Sequence, residues 1–250
     1  MLGGRVYAPV NIGMLSFLPG TGHRARRYDI GHTKGAAFAL GGYVAAVAGS
    51  RYWLIDPADT KTVTRPVPLP GGGEVLAHAA AADMLYVSGP DPDGIRTFSL
   101  RVLSVAQPDR PQLLATVPLP GEATGIAVGQ NLLVGVTGRT SGLLVIGGTA
   151  PTGPDATGPE VIGPEVIGAV IAPYGLHGLA AMGRCAYALA GKREVVAFDV
   201  SDPRAPRITA TLRLPGAAAD TATIVPVGGL LYAPLGAGGV YVLRDTLCTP

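Results

Sequence analysis

The chain has 250 residues, enough for one large all-β domain or two small ones. Hydrophobic residues make up 48% of it and charged residues only 14%, so a large apolar core can form. The formal net charge is +2, and the sequence has no long basic run of the kind that would indicate a nucleic-acid-binding surface. The 37 glycines and 23 prolines separate apolar segments, which indicates many tight turns rather than disorder.

The apolar segments are too short or too interrupted to cross a membrane as helices. The best candidate, residues 36–49, contains Gly41 and Gly42 and ends before Arg51. Behind Arg5 the N-terminal segment is broken early by Pro9 and Asn11, so no signal peptide is expected. We therefore expect a protein without a membrane span, either cytoplasmic or exported after removal of a leader.

Only two cysteines are present, Cys185 and Cys248. They could pair, but two cysteines do not make the disulfide framework of a small secreted domain. We expect a buried, unpaired Cys185 and a free Cys248 near the end of the chain.

Six related segments recur along the chain, and each is predicted to form a short strand. The first reads GRVYAPV and the last reads GLLYAPL. Each begins at a turn-forming or polar residue and continues as an apolar stretch. They start at Gly4, Gly42, Asp83, Asn131, Arg184 and Gly229, with spacings of 38, 41, 48, 53 and 45 residues.

Other elements recur in register with these six segments. LPG stands at 69–71, 119–121 and 214–216, with APYG at 172–175 in the corresponding place. An apolar strand follows each of them, and the six segments come next as second strands. Third strands are predicted at 51–56, 142–146, 195–200 and 239–243. A corner rich in Pro and Asp and a fourth strand, such as 112–117, lead back to LPG.

Four short strands in each 40–50 residues are the period of a β-propeller blade. The strands do not alternate cleanly, which fits blades with both faces buried, and helical periodicity is absent. We predict an all-β chain folded as a single β-propeller with six blades of about four antiparallel strands. The blade units are expected near residues 1–34, 35–71, 72–121, 122–175, 176–216 and 217–250.

One unit carries a resemblance to a known family. The stretch VAFDVSDPRAPRITATLRLPG, residues 196–216, resembles the signature of LVIVD-repeat β-propellers. In that repeat an aliphatic strand ends in Asp-Val-Ser-Asp-Pro, and a strand started by Pro follows. Residues 104–121 match less well and residues 54–63 more weakly, while the units at Gly4 and Gly229 keep only the strand pattern. The resemblance implies a propeller and carries no shared catalytic motif.

The first and last blades are expected to be incomplete. The first unit starts at a second strand, and the last unit ends after a third strand. The ring could hold two incomplete blades side by side, the natural chain could begin upstream of Met1, or a partner chain could fill the gap. We expect the first arrangement, with residues near Met1 and 246–250 partly covering the strand edges.

A tandem duplication, GPEVIGPEVIG, occupies residues 158–168. It is interpreted as a slipped repeat that lengthens the loop between a third and a fourth strand. A flexible flap is the alternative. These loops lie on the propeller face where sites are less often built.

Polar side chains concentrate in the loops that enter the first strand of each blade. In a propeller these loops share one face, at the mouth of the central channel, with the hairpin turns between second and third strands. A concave apolar channel with a few convergent polar groups is a ligand-site hypothesis, whereas solvated loop ends need no function. The candidate residues are His32, Lys34, Glu74, His78, Glu122, Thr124, His177, Asp220 and Thr221.

The hairpin turns add four basic residues to the same predicted face, and these could meet an anionic ligand or be solvated turn tips. They are Arg51, Arg139, Lys192 and Arg193. A divalent metal held by His32, His78 and His177 with Glu74 or Glu122 is a further possibility, because histidine and carboxylate suit a transition ion. No close ligand spacing of the HExxH type supports it.

Recognised catalytic motifs do not occur in the sequence. GRTSG at 138–142 is not a nucleophile elbow, because its serine stands one place late. Phosphate-binding GxxxxGK and redox CxxC motifs do not occur either. Trp53 lies in a third strand and is interpreted as packing between blades.

Two classes of function fit these observations. The first is a non-enzymatic scaffold or ligand-binding module that receives a small molecule or a protein at the channel mouth. The second is a lyase, cyclase or isomerase acting on a small metabolite, with His177, His78, Glu74 and Glu122 as acid–base residues. Nucleic acid is not an expected partner. The protein is expected to be a monomer, or a dimer through its incomplete terminal blades.

Overall fold

The computed structural model describes residues 6–10, 13–17, 26–30, 34–58, 64–92, 97–138, 141–147, 164–172, 174–218, 223–235 and 238–244. These ranges contain 22 β-strands. In them, no helix has the length and hydropathy that a membrane span requires. The chain divides into two compact units, Met1–Thr116 and Val117–Pro250.

The first unit contains three antiparallel sheets, formed by strands that follow one another along the chain. The first sheet is β1 (Val6–Val10), β2 (Gly13–Phe17) and β3 (Arg26–Tyr28). The second is β4 (Lys34–Leu40), β5 (Tyr43–Ala48), β6 (Arg51–Ile55) and β7 (Thr64–Pro68). The third is β8 (Ala77–Ala81), β9 (Met84–Pro90), β10 (Phe98–Ser104) and β11 (Gln112–Leu119), whose last three residues lie beyond the unit boundary at Thr116.

The second unit repeats this organisation in three further sheets. The fourth sheet is β12 (Glu122–Val128), β13 (Leu132–Thr137), β14 (Gly142–Gly147) and β15 (Glu165–Ile171). The fifth is β16 (Leu176–Met182), β17 (Cys185–Ala190), β18 (Glu194–Asp199) and β19 (Arg207–Arg213). The sixth is β20 (Val225–Val227), β21 (Leu230–Pro234) and β22 (Val240–Arg244).

Each of the six related segments forms a strand at the expected place. They are the second strands β5, β9, β13, β17 and β21, and the starting strand β1 of the first sheet. The predicted third strands at 51–56, 142–146, 195–200 and 239–243 are β6, β14, β18 and β22. Of the duplicated segment, the second EVIG lies in β15, and the first copy lies outside the described residues.

The blade count differs from the prediction. The first and last sheets have three strands each, so the incomplete ends are as expected within the described ranges. Four of the six described sheets have the four strands of a complete blade. The propeller has five blades, and the prediction of six blades is wrong. Recurring segments overcount blades because each one marks a strand and not a finished sheet.

Side chains from neighbouring sheets form the cores, which explains why the strands do not alternate. All six residues of β17 are buried. In the first unit, one cluster joins the second and third sheets through residues such as Tyr52 and Leu103. Trp53 packs on a cluster shared by the first and second sheets, which confirms its predicted role between blades. In the second unit, Phe198 belongs to a cluster that also contains Leu133 and Leu143.

The cysteine expectation is corrected by the structure. Cys185 is buried, with 2% of its surface exposed. It is disulfide-bonded, so the prediction of an unpaired thiol is wrong. Cys248 lies outside the described residues. Sequence spacing could not decide the pairing, because a disulfide depends on the approach of the two Cα atoms in the fold.

The corner between third and fourth strands is a repeated turn. The amide of Arg110 donates to the carbonyl of Gln107 at 2.9 Å, and the amide of Ala205 donates to that of Asp202 at 3.1 Å. The second residue of both turns is proline, Pro108 and Pro203. Proline suits this position because its fixed φ matches the turn.

Candidate functional site

In the first unit, the segment that enters β8 lies across the hairpin turn between β5 and β6. The amide of Leu69 donates to the carbonyl of Ser50, and the amide of Val75 donates to that of Gly49, both at 3.0 Å. Leu69 begins the LPG motif, so this motif marks where the chain crosses the turn. We call the surface made by residues 49–51 and 69–76 the connection face of the first unit.

The second unit repeats the same contacts. The amide of Leu214, which begins another LPG, donates to the carbonyl of Arg193 at 2.7 Å. Ala172, which begins APYG, donates in the same way to Ser141 at 3.0 Å. The two motifs therefore occupy corresponding places, as the sequence alignment predicts. We call the surface made by residues 191–193 and 214–218, with Glu122 at the start of β12, the connection face of the second unit.

Two candidate residues of the first unit are exposed on its connection face, and a third lies deeper. Arg51 and Glu74 have exposed side chains. His78 lies within β8 opposite Val87 and is half-buried. Its ring packs against that of Phe38 in β4, with 5.7 Å between the ring centroids. His78 therefore joins two neighbouring first strands, and Glu74 and Arg51 supply the exposed charge.

The other two first-unit candidates are Lys34 and His32. Lys34 begins β4 and pairs with Val47, but only its backbone is described. His32 lies outside the described residues.

In the second unit, the structure brings Thr124 and His177 onto neighbouring strands. The Thr124 hydroxyl is hydrogen-bonded to the carbonyl of Leu176, the residue before His177, and to that of Gly135 at 3.3 Å. The strands approach closely because Gly125 has no side chain, and a Cβ there would stand 3.2 Å from the Cβ of Leu179. Thr124 thereby ties β12 to β16 through a side chain that sequence analysis places in a ligand site.

The other second-unit candidates fall into two groups. Glu122 begins β12 opposite Thr137 and is exposed, as are Lys192 and Arg193 in the turn before β18. His177 is half-buried and pairs with Leu189 in β17. The candidates Arg139, Asp220 and Thr221 lie outside the described residues.

The predicted metal site is not assembled in the part of the chain that is described. No group of three or more His, Cys, Asp or Glu side chains in those ranges is arranged to hold a metal ion. His32, one of its proposed ligands, falls outside them.

Arg101 is a residue that sequence analysis missed. It lies in β10 with only 4% of its surface exposed. Its guanidinium donates to the carbonyls of Gly72 and Pro70, the latter at 3.4 Å. Burial lowers the pKa of Arg101, and the nearby Asp91 carboxylate partly opposes this. A lone arginine inside the apolar run FSLRVLS is the signal that could have identified it.

Arg101 and Gly89 together fix the position of the segment that carries Glu74. The carbonyls that Arg101 holds belong to the residues just before Glu74. On the other side, a Cβ on Gly89 would stand 1.9 Å from the carbonyl oxygen of Glu74. The backbone of this part of the connection face is therefore pressed against β9 and anchored by a buried cation.

The Asp-Val-Ser-Asp-Pro stretch has a structural role at the opposite end of its sheet. The Asp199 carboxylate accepts hydrogen bonds from the Ser201 amide at 3.0 Å, the Ser201 hydroxyl at 2.6 Å and the Arg207 guanidinium at 2.8 Å. The hydrogen bonds from Ser201 and Arg207 hold the pKa of Asp199 well below its ordinary value. The motif therefore closes the corner between β18 and β19.

Comparisons with known proteins identify the fold. No family model matches the chain, and no curated protein sequence matches it. Among solved structures, a chain in the crystal structure of the mitotic checkpoint complex matches with a TM-score of 0.70 and 10% identity. The match covers 97% of this chain and 73% of that chain. The WD40 repeats of RRP9 match with a TM-score of 0.64 and 12% identity, over 94% of this chain and 70% of the other.

The structure of BamB from Moraxella catarrhalis also matches, with a TM-score of 0.60 and 15% identity, over 98% of this chain and 70% of that chain. WD40 repeats build propeller blades of four-stranded sheets. The chain is a single β-propeller. At these identities the likeness shows the fold alone, and the LVIVD type of repeat rests on the sequence resemblance.

Proposed function

We propose that this propeller is a scaffold or ligand-binding module that binds its partner through the connection faces. The observation that carries the proposal is the distribution of exposed charge. Arg51 and Glu74 in the first unit, and Glu122, Lys192 and Arg193 in the second, stand at the ends of strands whose other residues are largely apolar and buried.

A rigid sheet core that presents loops is suited to binding. Binding residues are disproportionately found on loops held by a rigid scaffold. Here the loop is held firmly, because Arg101 anchors Gly72 and Gly89 admits the backbone of Glu74. Little conformational entropy would then be lost when a partner binds, which favours affinity. The mixed signs of charge suit a protein surface or a small molecule that carries both charges.

The proposal includes His78, Thr124 and His177, which are polar residues in the first strands β8, β12 and β16. His32, Lys34, Asp220, Thr221 and Arg139 are proposed to complete it. The solved structure of the mitotic checkpoint complex shows that this fold serves in protein assemblies. The enzymatic alternative gains no support from the comparisons, since they show fold and not chemistry.

We further propose that the repeats are of the LVIVD type. The support is the Asp199 corner, in which the aspartate and serine of the motif are hydrogen-bonded to each other. The second aspartate acts in the same turn, because the Asp202 carboxylate accepts from the Arg204 amide at 3.0 Å. Asp56, in the weaker match, accepts from the Ala58 amide at 2.8 Å.

Two double variants of the first unit test the proposal. The connection-face variant is Arg51→Ala with Glu74→Gln. The matched control is Arg110→Ala with Asp83→Asn, which removes one exposed charge of each sign at the opposite ends of the strands. Wild type and both variants are screened by thermal shift against a defined metabolite panel and by selection from a peptide-display library.

We expect a ligand at a hundredfold excess over its Kd to stabilise the wild type by about 2.7 kcal/mol. The connection-face variant should lose this stabilisation, and the control should keep it. A ligand lost by the control and kept by the connection-face variant would contradict the proposal. So would turnover of the ligand, or the absence of any ligand in both screens.

A further inference from the structure

The last strand of the sixth sheet, β22, is apolar like the third strands that lie between two neighbours in the four-stranded sheets. β22 is the third strand of its sheet, and no strand in the described ranges pairs with its outer edge. In the fifth sheet, the corresponding strand β18 has its four central residues buried. In β22, by contrast, Val240, Tyr241 and Val242 are 58%, 39% and 49% exposed. An apolar strand edge of this kind is a template for pairing with another strand.

Two other outer strands, β7 and β19, carry features that block such pairing, and β22 does not. β7 contains Pro66 and Pro68, which cannot donate backbone hydrogen bonds. β19 begins and ends with Arg207 and Arg213. β22 has no proline, and its single charge is Arg244 at its end.

We propose that β22 pairs antiparallel with β22 of a second copy of this chain, about a two-fold axis through Val242. In that register Val240 lies opposite the second copy's Arg244, and Tyr241 lies opposite its Leu243. No like charges oppose each other. The same symmetric pairing of β19 would place Arg207 opposite Arg213, and directly opposed like charges destabilise a strand pair.

The apolar core of the second unit supports this register. Tyr241 and Leu243 pair with Ala233 and Leu231, which are buried in a core cluster. They therefore share the inward face of the sheet. Adding a strand places a second tyrosine and leucine beside them, and aromatic–aliphatic pairs stabilise neighbouring strands. The strand of the second copy would therefore extend the existing apolar inward face of the sixth sheet.

A five-residue edge is smaller than a standard dimer interface, which buries about 800 Å² on each partner. We therefore expect a concentration-dependent dimer with a Kd in the micromolar range. This surface is separate from the connection faces, so the proposed ligand function and the dimer can each fail without the other.

Sedimentation velocity of the wild type over a wide concentration range measures the Kd. Val242→Lys and Val242→Glu each place like charges opposite one another at the axis, so each should weaken dimerisation at least about tenfold. An equimolar mixture of the two should restore the dimer, because lysine then faces glutamate. Thr211→Lys on the exposed outer strand β19 is the matched control and should leave the Kd unchanged. Circular dichroism establishes that each variant is folded.

A wild type that stays monomeric at the highest concentration overturns the proposal. A dimer that survives Val242→Lys, or is lost in Thr211→Lys, also overturns it. If both charged variants dissociate but their mixture does not re-associate, Val242 does not lie at a two-fold axis and the register is wrong. Should Val242→Lys fail to fold, the glutamate variant decides by the same criterion.

Discussion

Gly89→Ala tests whether the segment that carries Glu74 is seated by a backbone-to-backbone contact. Gly89 lies in β9, and a Cβ at this position would stand 1.9 Å from the Glu74 carbonyl oxygen and 3.0 Å from its carbon. The clash is with main chain and not with the end of a flexible side chain. The substitution can be accommodated only if β9 and residues 74–76 move apart.

The size of the effect follows from these distances. Real Cβ contacts are essentially never below 3.0 Å, so the two segments must separate by roughly 1 Å. The neighbouring hydrogen bond from the Leu76 amide to the Ser88 carbonyl, now 2.7 Å long, would exceed hydrogen-bonding distance. Its loss costs about 1 kcal/mol, and overpacking adds about 1–3 kcal/mol. We expect a loss of about 2–4 kcal/mol in the free energy of unfolding.

Urea denaturation followed by circular dichroism measures this difference, and thermal unfolding gives a second reading. For a domain of this size, the expected loss lowers the Tm by roughly 5–15 °C. Gly216→Ala is the matched control, since its Cβ would meet only the Leu235 side chain at 3.4 Å, and its effect should stay within about 0.5 kcal/mol. A Gly89→Ala variant as stable as Gly216→Ala would refute the close approach and, with it, the anchored loop.

Two further predictions concern titratable groups. Asp199→Asn should lower stability at pH 7 by about 1 kcal/mol. Because its hydrogen bonds depress the folded-state pKa of Asp199, this stabilisation is present above the unfolded-state pKa of about 4 and is lost as the pH falls further. Urea melts between pH 7 and pH 3 should therefore show the wild type and variant converging only at the acid end, and a constant gap would contradict the assignment. Tyr52→Phe removes the hydrogen bond from the Tyr52 hydroxyl to the Pro108 carbonyl and should cost about 1 kcal/mol. Burial, with a smaller contribution from Asp109, raises the pKa of Tyr52 to about 12, so its stabilisation is present below about pH 10 and is lost as the pH rises towards 12. Ultraviolet titration of wild type against Tyr52→Phe should assign the late phenolate to Tyr52, and titration near pH 10 would show that the ring is not buried.

Strands and turns could be predicted because their causes are local. The six related segments carry short apolar runs bounded by turn residues, and each became a strand. LPG at Leu69 and APYG at Ala172 occupy equivalent positions because each begins with an amide that donates to a hairpin-turn carbonyl. The proline corner at Pro203 follows from its fixed φ. These features depend on residues close together in the chain, so a repeat alignment is sufficient to find them.

The candidate site could be predicted only in outline. The sequence predicts which loops and hairpin turns share one face, because that follows from strand order. It could not distinguish exposed Arg51 and Glu74 from Thr124, whose hydroxyl is hydrogen-bonded to the backbone of the next sheet. That distinction depends on how far apart two first strands lie, which Gly125 and Leu179 decide by packing.

By itself, the sequence determined the all-β class, the order of strands and the turns that join them. The tertiary structure alone decided the blade count, the disulfide at Cys185, the burial of Arg101 beneath the Gly72 carbonyl and the exposed edge of β22. The physical reason is the range of the interactions. Strand and turn preferences act over a few residues, whereas sheet completion, burial and cross-linking depend on which distant segments come into contact.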